Sequence, residues 1–580
     1  IYPGELRMNR ITNVATSLKR YSYSLAVFFI GFLSLFLRFF RLSSWPTGLH
    51  DDMALKAMDA YNASLGNWQL FYGGIVNSGR EGLYINLLGV VFRLFGPGVL
   101  QIRITSALLN LLTLVLICLV LKRLQLNRWA ILFSMFLLST SIWFVGLGRA
   151  GWRTGMVPLI TSAVLLTFLK LHETRGGRRH VLIGGIAVLL ILGLNSYLNF
   201  IFFLPVALGF VMVYHKDFTR KEILAGVGLF IALLILLVMG YVYSGFNIQR
   251  VLSLSEHSAS VSNPMVMEIF IRIMNMFKAL LVYRPVRYLE GFLGFPVLNP
   301  SVFILLLGGL LLRKRREIGI YLFWIVMGLM PVLLSSADFN LLRATLLIPP
   351  LYTLIAMAVD SALGHFSGRE KIAVYALIAG ALLWQSVYVG FLYSPLYQKE
   401  IRIRDDYYQQ RLYEKDLAEI VGETNSSISI IDIYGGRKPT YFTFSWWNLI
   451  EGFPEDNFKV HSMEGATVEV PDVLENNPDI IYLFHYPYYT AEKSSLLTTK
   501  YAHNENVIAG EGVTWTESKA RILNSVEKQL MNSEDAYEYL CFKNKYGISL
   551  DLFVREKSST KIIQSFRKYG YSVSAERSTP

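Results

Sequence analysis

Cysteine is almost absent: Cys118 in an apolar run and Cys541 in a polar stretch are the 2 cysteines among 580 residues. That leaves no disulfide framework and no cysteine-based metal spacing. Charge is scarce as well. Asp, Glu, Lys and Arg make up 17% of the chain, below the roughly 25% of ordinary soluble domains, while 53% of residues are hydrophobic. A soluble protein of this length has nowhere to hide so much apolar surface. Acidic residues fall short of basic ones, 42 against 55, for a net charge of +13. The basic residues are scattered among short loops, which disfavours nucleic-acid binding. Cytoplasmic loops beside an anionic leaflet explain them better.

The apolar residues are unevenly placed. Residues 21–395 hold about eleven apolar runs, near 21–40, 104–121, 129–147, 154–171, 181–197, 199–214, 223–243, 299–312, 318–336, 344–361 and 372–394. Most approach the roughly 20 residues that cross about 30 Å of hydrocarbon. The first is expected to stay as a signal anchor rather than be cleaved. One set of connections is short and basic: Lys122 to Arg128, Arg175 to Arg179, Lys216 to Lys221, Arg313 to Arg316 and Arg369 to Lys371. With the basic N-terminal segment they mark the cytoplasmic side. The other set contains two long loops, about 41–103 and 244–298. An odd number of spans puts residues 396–580 on the same side as those loops. The expected fold is therefore a polytopic α-helical membrane domain, residues 1–395, followed by an extracytoplasmic α/β domain, residues 396–580. The hairpin around Asn195-Ser196-Tyr197 is the least secure pair of spans.

Both long loops carry helical stripes. Ala54, Ala57, Met58, Tyr61 and Leu65 suggest an amphipathic helix in the interface. Tyr84 to Phe95 is apolar but too short to span. Ile269, Ile273, Met276, Phe277 and Leu280 make a third stripe.

Chemistry-bearing residues gather in the connections on the long-loop side. His50-Asp51-Asp52 follows the first span. Neighbouring side chains on a helix diverge by about 100°, so the two carboxylates divide their roles, one facing a reaction centre and one capping the helix. Taken alone, the motif favours two caps. Gly79-Arg80-Glu81-Gly82 offers either a structural ion pair or a phosphate ligand beside an acidic ligand. Arg149 and Arg153, four apart, fall on one face if helical and suit bidentate phosphate binding. Interface snorkelling is the bland alternative for either. Arg343 follows Asp338-Phe339-Asn340 in a later loop. Glu81 and His257 are candidate ligands for a divalent metal ion, although a lone histidine is more often structural.

The order of these motifs resembles prokaryotic members of the protein O-mannosyltransferase superfamily, which are polytopic GT-C glycosyltransferases related to the aminoarabinose transferases that modify lipid A. The resemblance is carried by Pro46-Thr-Gly-Leu-His-Asp-Asp52, Gly79-Arg-Glu-Gly-Leu-Tyr84, Leu94-Phe-Gly96, Arg103 to Leu108, Gly148 to Arg153, Pro296 to Pro300 and Asp338 to Arg343. It covers about residues 40–360. It implies a polyprenyl-phosphate sugar donor, the lipid bilayer as a partner, and transfer outside the cytoplasm to a hydroxyl on a protein, lipid or glycan. It matches Asp51 to the general base and Asp52 to a position where Glu is usual. Glu81 and the two arginines match acidic and basic motif positions, with Gly82 where proline is usual. Arg80, Glu81, Arg149, Arg153, Arg343 and Asp52 are then the expected substrate and phosphate contacts.

Two other functions compete. A transporter or flippase for lipid-linked saccharides predicts inverted repeats and charges near the bilayer midplane; neither stands out here. An oligosaccharide ligase differs only in its donor. In residues 396–580, helices over 405–421 and 518–531 and strands over 428–434, 480–484 and 548–554 are expected. Tyr434 to Arg437 and Trp446-Trp447 are candidate sugar platforms, though a packed aromatic core with a glycine turn fits them better.

Overall fold

The computed structural model describes residues 3–43, 49, 51–73, 80–214, 218–244, 265–281, 298–312, 317–334, 341–392, 416–432, 458–462, 478–484, 530, 536–544 and 549–574. His257, Asp338 and both candidate sugar platforms lie outside the described residues. The chain forms two compact units, residues 1–46 with 59–397, and residues 47–58 with 398–580.

The first unit is a helical bundle. Its helices are α1 (Pro3–Phe39), α2 (Asp51–Ser64, its first turns grouped with the second unit), α3 (Leu83–Phe95), α4 (Val99–Arg123), α5 (Arg128–Thr140), α6 (Ile142–Ala150), α7 (Met156–Glu173), α8 (Arg178–Leu194), α9 (Leu204–Val213), α10 (Arg220–Tyr243), α11 (Met265–Leu281), α12 (Pro300–Leu312), α13 (Glu317–Leu333), α14 (Ile348–His365) and α15 (Gly368–Leu392). Over the described residues each expected apolar run is mostly helical, with a break at Ser141 and a turn at 195–197. Among the described residues 6 helices are long and apolar enough to cross a membrane, or 7 if the bent pair α5–α6 is one span. The chain is an integral membrane protein. The remaining runs, Arg178–Leu194, Leu198–Val213, Pro300–Leu312 and Ile318–Leu333, are shorter helices.

The bend of 49° between α5 and α6 has a physical cause. Ser141 takes an extended conformation and caps α6 by accepting from the Phe144 N–H. The carbonyls freed at the break need partners, because hydrocarbon supplies none. Arg38 Nη1 donates to Ser139 O at 3.1 Å, and Gln385 Nε2 to Thr140 O at 2.9 Å. Arg38 is fully buried; its Nε also donates to Asn110 Oδ1 at 2.6 Å, and its guanidinium lies 5.2 Å from the Phe144 ring centroid. At the opposite end of the bundle, Asp360 accepts from the Asn127 N–H, Arg179 pairs with Glu222, and Arg123 pairs with Glu173.

The loop helices differ from their expected faces. α2 buries Met53, Ala54, Ala57, Ala60 and Ala63, while Leu65 just beyond it is 66% exposed. The small side chains explain the shift. A Cβ on Gly89 of α3 would meet Ala63 Cβ at 2.7 Å and Ala60 O at 3.1 Å, so α2 and α3 nearly touch backbone to backbone. α3 buries Tyr84, Ile85, Leu88 and Phe92 and exposes Leu94 and Phe95. In α11 Met276 is buried but Phe277 is 45% exposed; Arg272 is buried and donates to Leu333 O, a free carbonyl at the end of α13.

The second unit holds a mixed six-stranded sheet. β3 (Ile428–Asp432) pairs in parallel with β4 (Phe458–Ser462) and β5 (Ile480–Phe484). β6 (Tyr537–Asn544), β7 (Ser549–Arg555) and β8 (Tyr571–Ser574) continue it antiparallel, in the order β4-β3-β5-β7-β6-β8. Residues 416–424 are helical. A further helix, α16 (Glu556–Lys568), lays Ile562 and Phe566 into the core, with Phe566 stacked on Phe542 at 3.9 Å. Asp479 ties these parts together by accepting from Ser427 N and Oγ and from Ser558 Oγ.

Candidate functional site

The site is built on a two-stranded ribbon in the first long loop. β1 (Phe71–Tyr72) runs antiparallel to β2 (Arg80–Glu81), with Phe71 opposite Glu81 and Tyr72 opposite Arg80. Successive strand side chains point to opposite faces, so Arg80 and Glu81 do not pair with each other. Arg80 Nη1 meets Asp59 of α2 at 2.9 Å. Glu81 Oε2 meets Arg153 Nη1 in a direct ion pair, with the two side chains 4% and 7% exposed. The local ion pair weighed for Arg80 and Glu81 is thus replaced by two pairs aimed in different directions.

Gly82 follows at the start of α3. Its N–H donates to Leu70 O at 2.8 Å and to Asn195 Oδ1 at 3.1 Å. A Cβ here would stand 2.2 Å from Gln69 O and 2.8 Å from Leu70 O, both backbone atoms. Glycine is required by this close approach. Tyr72 donates to Asn86 Oδ1 at 2.5 Å. Burial pushes its phenol up to about 12, helped by the Asp59 charge and opposed by the Gln69 N–H bond. Tyr72 keeps its proton and acts as the donor to Asn86.

The two arginines of the Gly148–Arg153 stretch diverge, and this corrects the single-face expectation. α6 ends at Ala150, and Gly151 turns the chain with φ 83°, the usual glycine stop. Arg153 then starts a short 3₁₀ turn, Arg153–Gly155, before α7. Its guanidinium pairs with Glu81 on one side and lies 5.1 Å from the Tyr197 ring centroid. Arg149 is 1% exposed and donates to the carbonyls of Leu37, Arg38, Phe40 and Arg41 at 2.8 to 3.4 Å. These are the orphan carbonyls ending α1. Arg103 does the same for Leu42 and Ser43, at 2.9 and 3.0 Å. Together they fix where the chain leaves the first span.

Asp51 is the first residue of α2, and Asp52 the half-buried second. Arg343 is half-buried, and its own carbonyl accepts from Asn199 Nδ2 at 3.1 Å. Its Nη1 is buried without a hydrogen bond among the described residues. The described residues contain no group of three metal-ligating side chains. Glu81 is engaged by Arg153, so a metal there would have to compete with a cation already in place. Sequence reasoning passed over Asp59 and Arg38. Arg38 did carry a signal, since an arginine inside an apolar run is expensive unless bonded.

The ribbon, the helix-capping arginines and the broken span sit in a polytopic helical membrane fold of the GT-C type. ArnT from Cupriavidus metallidurans, solved bound to undecaprenyl phosphate, is similar with TM-score 0.50 and 13% identity, over 84% of this chain and 95% of that one. The Archaeoglobus fulgidus oligosaccharyltransferase in complex with Zn and sulfate gives TM-score 0.44 and 11% identity, over 91% and 72%. The S. cerevisiae protein O-mannosyltransferase Pmt1-Pmt2 complex bound to the sugar donor gives TM-score 0.31 and 16% identity over 38% of this chain, and the match spans only 33% of that chain's length. No protein-family profile matches the chain, and no curated protein matches it in sequence.

Proposed function

We propose that the chain is a membrane glycosyltransferase that moves a sugar from a polyprenyl-phosphate donor to an acceptor hydroxyl outside the cytoplasm. The GT-C fold supports the class. The observation that carries the donor assignment is the buried Arg343 Nη1, which has no protein partner among the described residues. A buried polar atom is normally hydrogen-bonded, and a guanidinium nitrogen without a bond is suited to an anionic oxygen. A lipid phosphate arriving from the bilayer supplies one.

Asp51 is the general base. As the acceptor oxygen attacks the anomeric carbon, its proton passes to the Asp51 carboxylate. The bond from that carbon to the phosphate oxygen breaks, and the electron pair leaves with the polyprenyl phosphate. One displacement inverts the anomeric configuration. The leaving group is already stable as an anion, so arginine donors suffice and no strong acid is needed. Arg153, Arg80 and Arg343 are the candidates to hold it. Arg149 acts by fixing the end of α1, with its donors directed at carbonyls.

Binding of undecaprenyl phosphate to the purified protein in detergent tests the assignment. Arg343→Met is expected to weaken the Kd by about 10–100-fold, the worth of a charge-assisted hydrogen bond of about 1.5–3 kcal/mol. An unchanged Kd would remove Arg343 from the phosphate site.

A further inference from the structure

The turn between α8 and α9 meets Arg153 of the buried Glu81–Arg153 pair and the two residues that follow Glu81. Asn195, the residue after α8, is 6% exposed. Its Oδ1 accepts from the Gly82 N–H at 3.1 Å, and its backbone carbonyl accepts from the Leu83 N–H at 3.1 Å. These two peptides immediately follow Glu81. Tyr241 at the end of α10 donates to the same Oδ1 at 3.1 Å, which holds the amide in place. Two residues on, Tyr197 lies beside the Arg153 guanidinium, 5.1 Å from its ring centroid. The Gly82 contact is also one that only an N–H can make, at a position where no Cβ fits.

We infer that Asn195 and Tyr197 are positioning residues for sugar transfer, Asn195 by fixing the backbone of Glu81 and Tyr197 by fixing the guanidinium of Arg153. The inference rests on the proposed role of Arg153 at the donor, with Glu81 holding the Arg153 guanidinium. The physical reason is the tolerance of such a site. A buried ion pair on a short ribbon has few local restraints, and a misplacement of about 1 Å lowers rates by about 10²-fold. A ring beside a guanidinium restricts its plane and adds attraction where water is thin. Asn195 uses its side chain here only as an acceptor in both of these bonds, but a carboxylate there would bury an unpaired charge, so Tyr197 carries the conservative variant. Tyr197 uses its ring, so phenylalanine can take its place.

The test is release of undecaprenyl phosphate from undecaprenyl-phosphate mannose by purified full-length protein in detergent, with an envelope extract as the source of acceptor and with kcat and donor KM separated. Asn195→Leu and Tyr197→Leu are each expected to lower kcat by about 10–100-fold with KM within about twofold. Tyr197→Phe is expected to recover to within about threefold of wild type. Tyr197 is only half-buried, so its variants remain informative if Asn195→Leu does not fold. Glu81→Gln serves as the reference. If Glu81→Gln is slow while both leucine variants run at the wild-type rate, positioning by this turn is wrong and the role of Glu81 stands. If Glu81→Gln runs at the wild-type rate, the role of Glu81 is wrong and the inference falls with it.

Discussion

Asp51→Asn is expected to slow acceptor-dependent release of undecaprenyl phosphate from its sugar-linked form by about 10²–10⁴-fold, the usual contribution of a positioned general base. Asparagine keeps the size and the helix-capping ability of aspartate but cannot take the acceptor proton. The fold should be nearly untouched. Asp51 opens α2, and losing a charge at a helix start removes only about 0.3–1 kcal/mol. Binding of undecaprenyl phosphate should also be unchanged, because the arginines assigned to the phosphate are intact. Asp52→Asn is expected to have a much smaller effect, in keeping with a capping role. A rate for Asp51→Asn within a few-fold of wild type would show that the base lies elsewhere.

The second large effect concerns the Glu81–Arg153 pair. Both side chains are more than nine-tenths buried. Removing one partner strands the other charge in a poor solvent and is expected to destabilise the bundle by about 3–5 kcal/mol. Arg153→Met should therefore lower the midpoint of thermal unfolding in detergent, and Glu81→Leu should do likewise. The double variant, with both charges gone, should recover most of that loss, because a buried pair is roughly balanced by its own desolvation. Sugar transfer should stay lost in all three. Single variants that unfold at the wild-type temperature would mean that water reaches the pair freely and that its burial does not shape the site.

Much of the fold was legible because membrane spans are written in runs of apolar residues. Over the described residues the expected runs are mostly helical, and the second unit has strands at 428–432, 480–484 and 549–555, close to the expected 428–434, 480–484 and 548–554. The break at Ser141 was not legible. Nothing in a continuous apolar run announces that two carbonyls will be satisfied by Arg38 and Gln385, which lie about 100 and 245 positions away. The site shows the same division. Residue types and order pointed to Glu81, Arg149, Arg153 and Arg343, yet the partners are settled by long-range packing. Arg149 and Arg153 look equivalent at a spacing of four; one glycine in a left-handed turn sends the first to the end of α1 and the second to Glu81. Asn195 drew notice only as a hairpin turn, since its bond to Gly82 spans 113 residues. Patterns within a helix or strand are local and can be read. Which helix end lies beside which loop is a property of the whole bundle.

The most direct measurement follows a polyprenyl-phosphate sugar incubated with the purified protein and an extracytoplasmic envelope extract, with products weighed by mass spectrometry. The expected result is free polyprenyl phosphate together with an equal amount of acceptor heavier by one sugar residue. Intact donor moved across a proteoliposome membrane with no covalent product, or an acceptor heavier by a preassembled oligosaccharide, would contradict it.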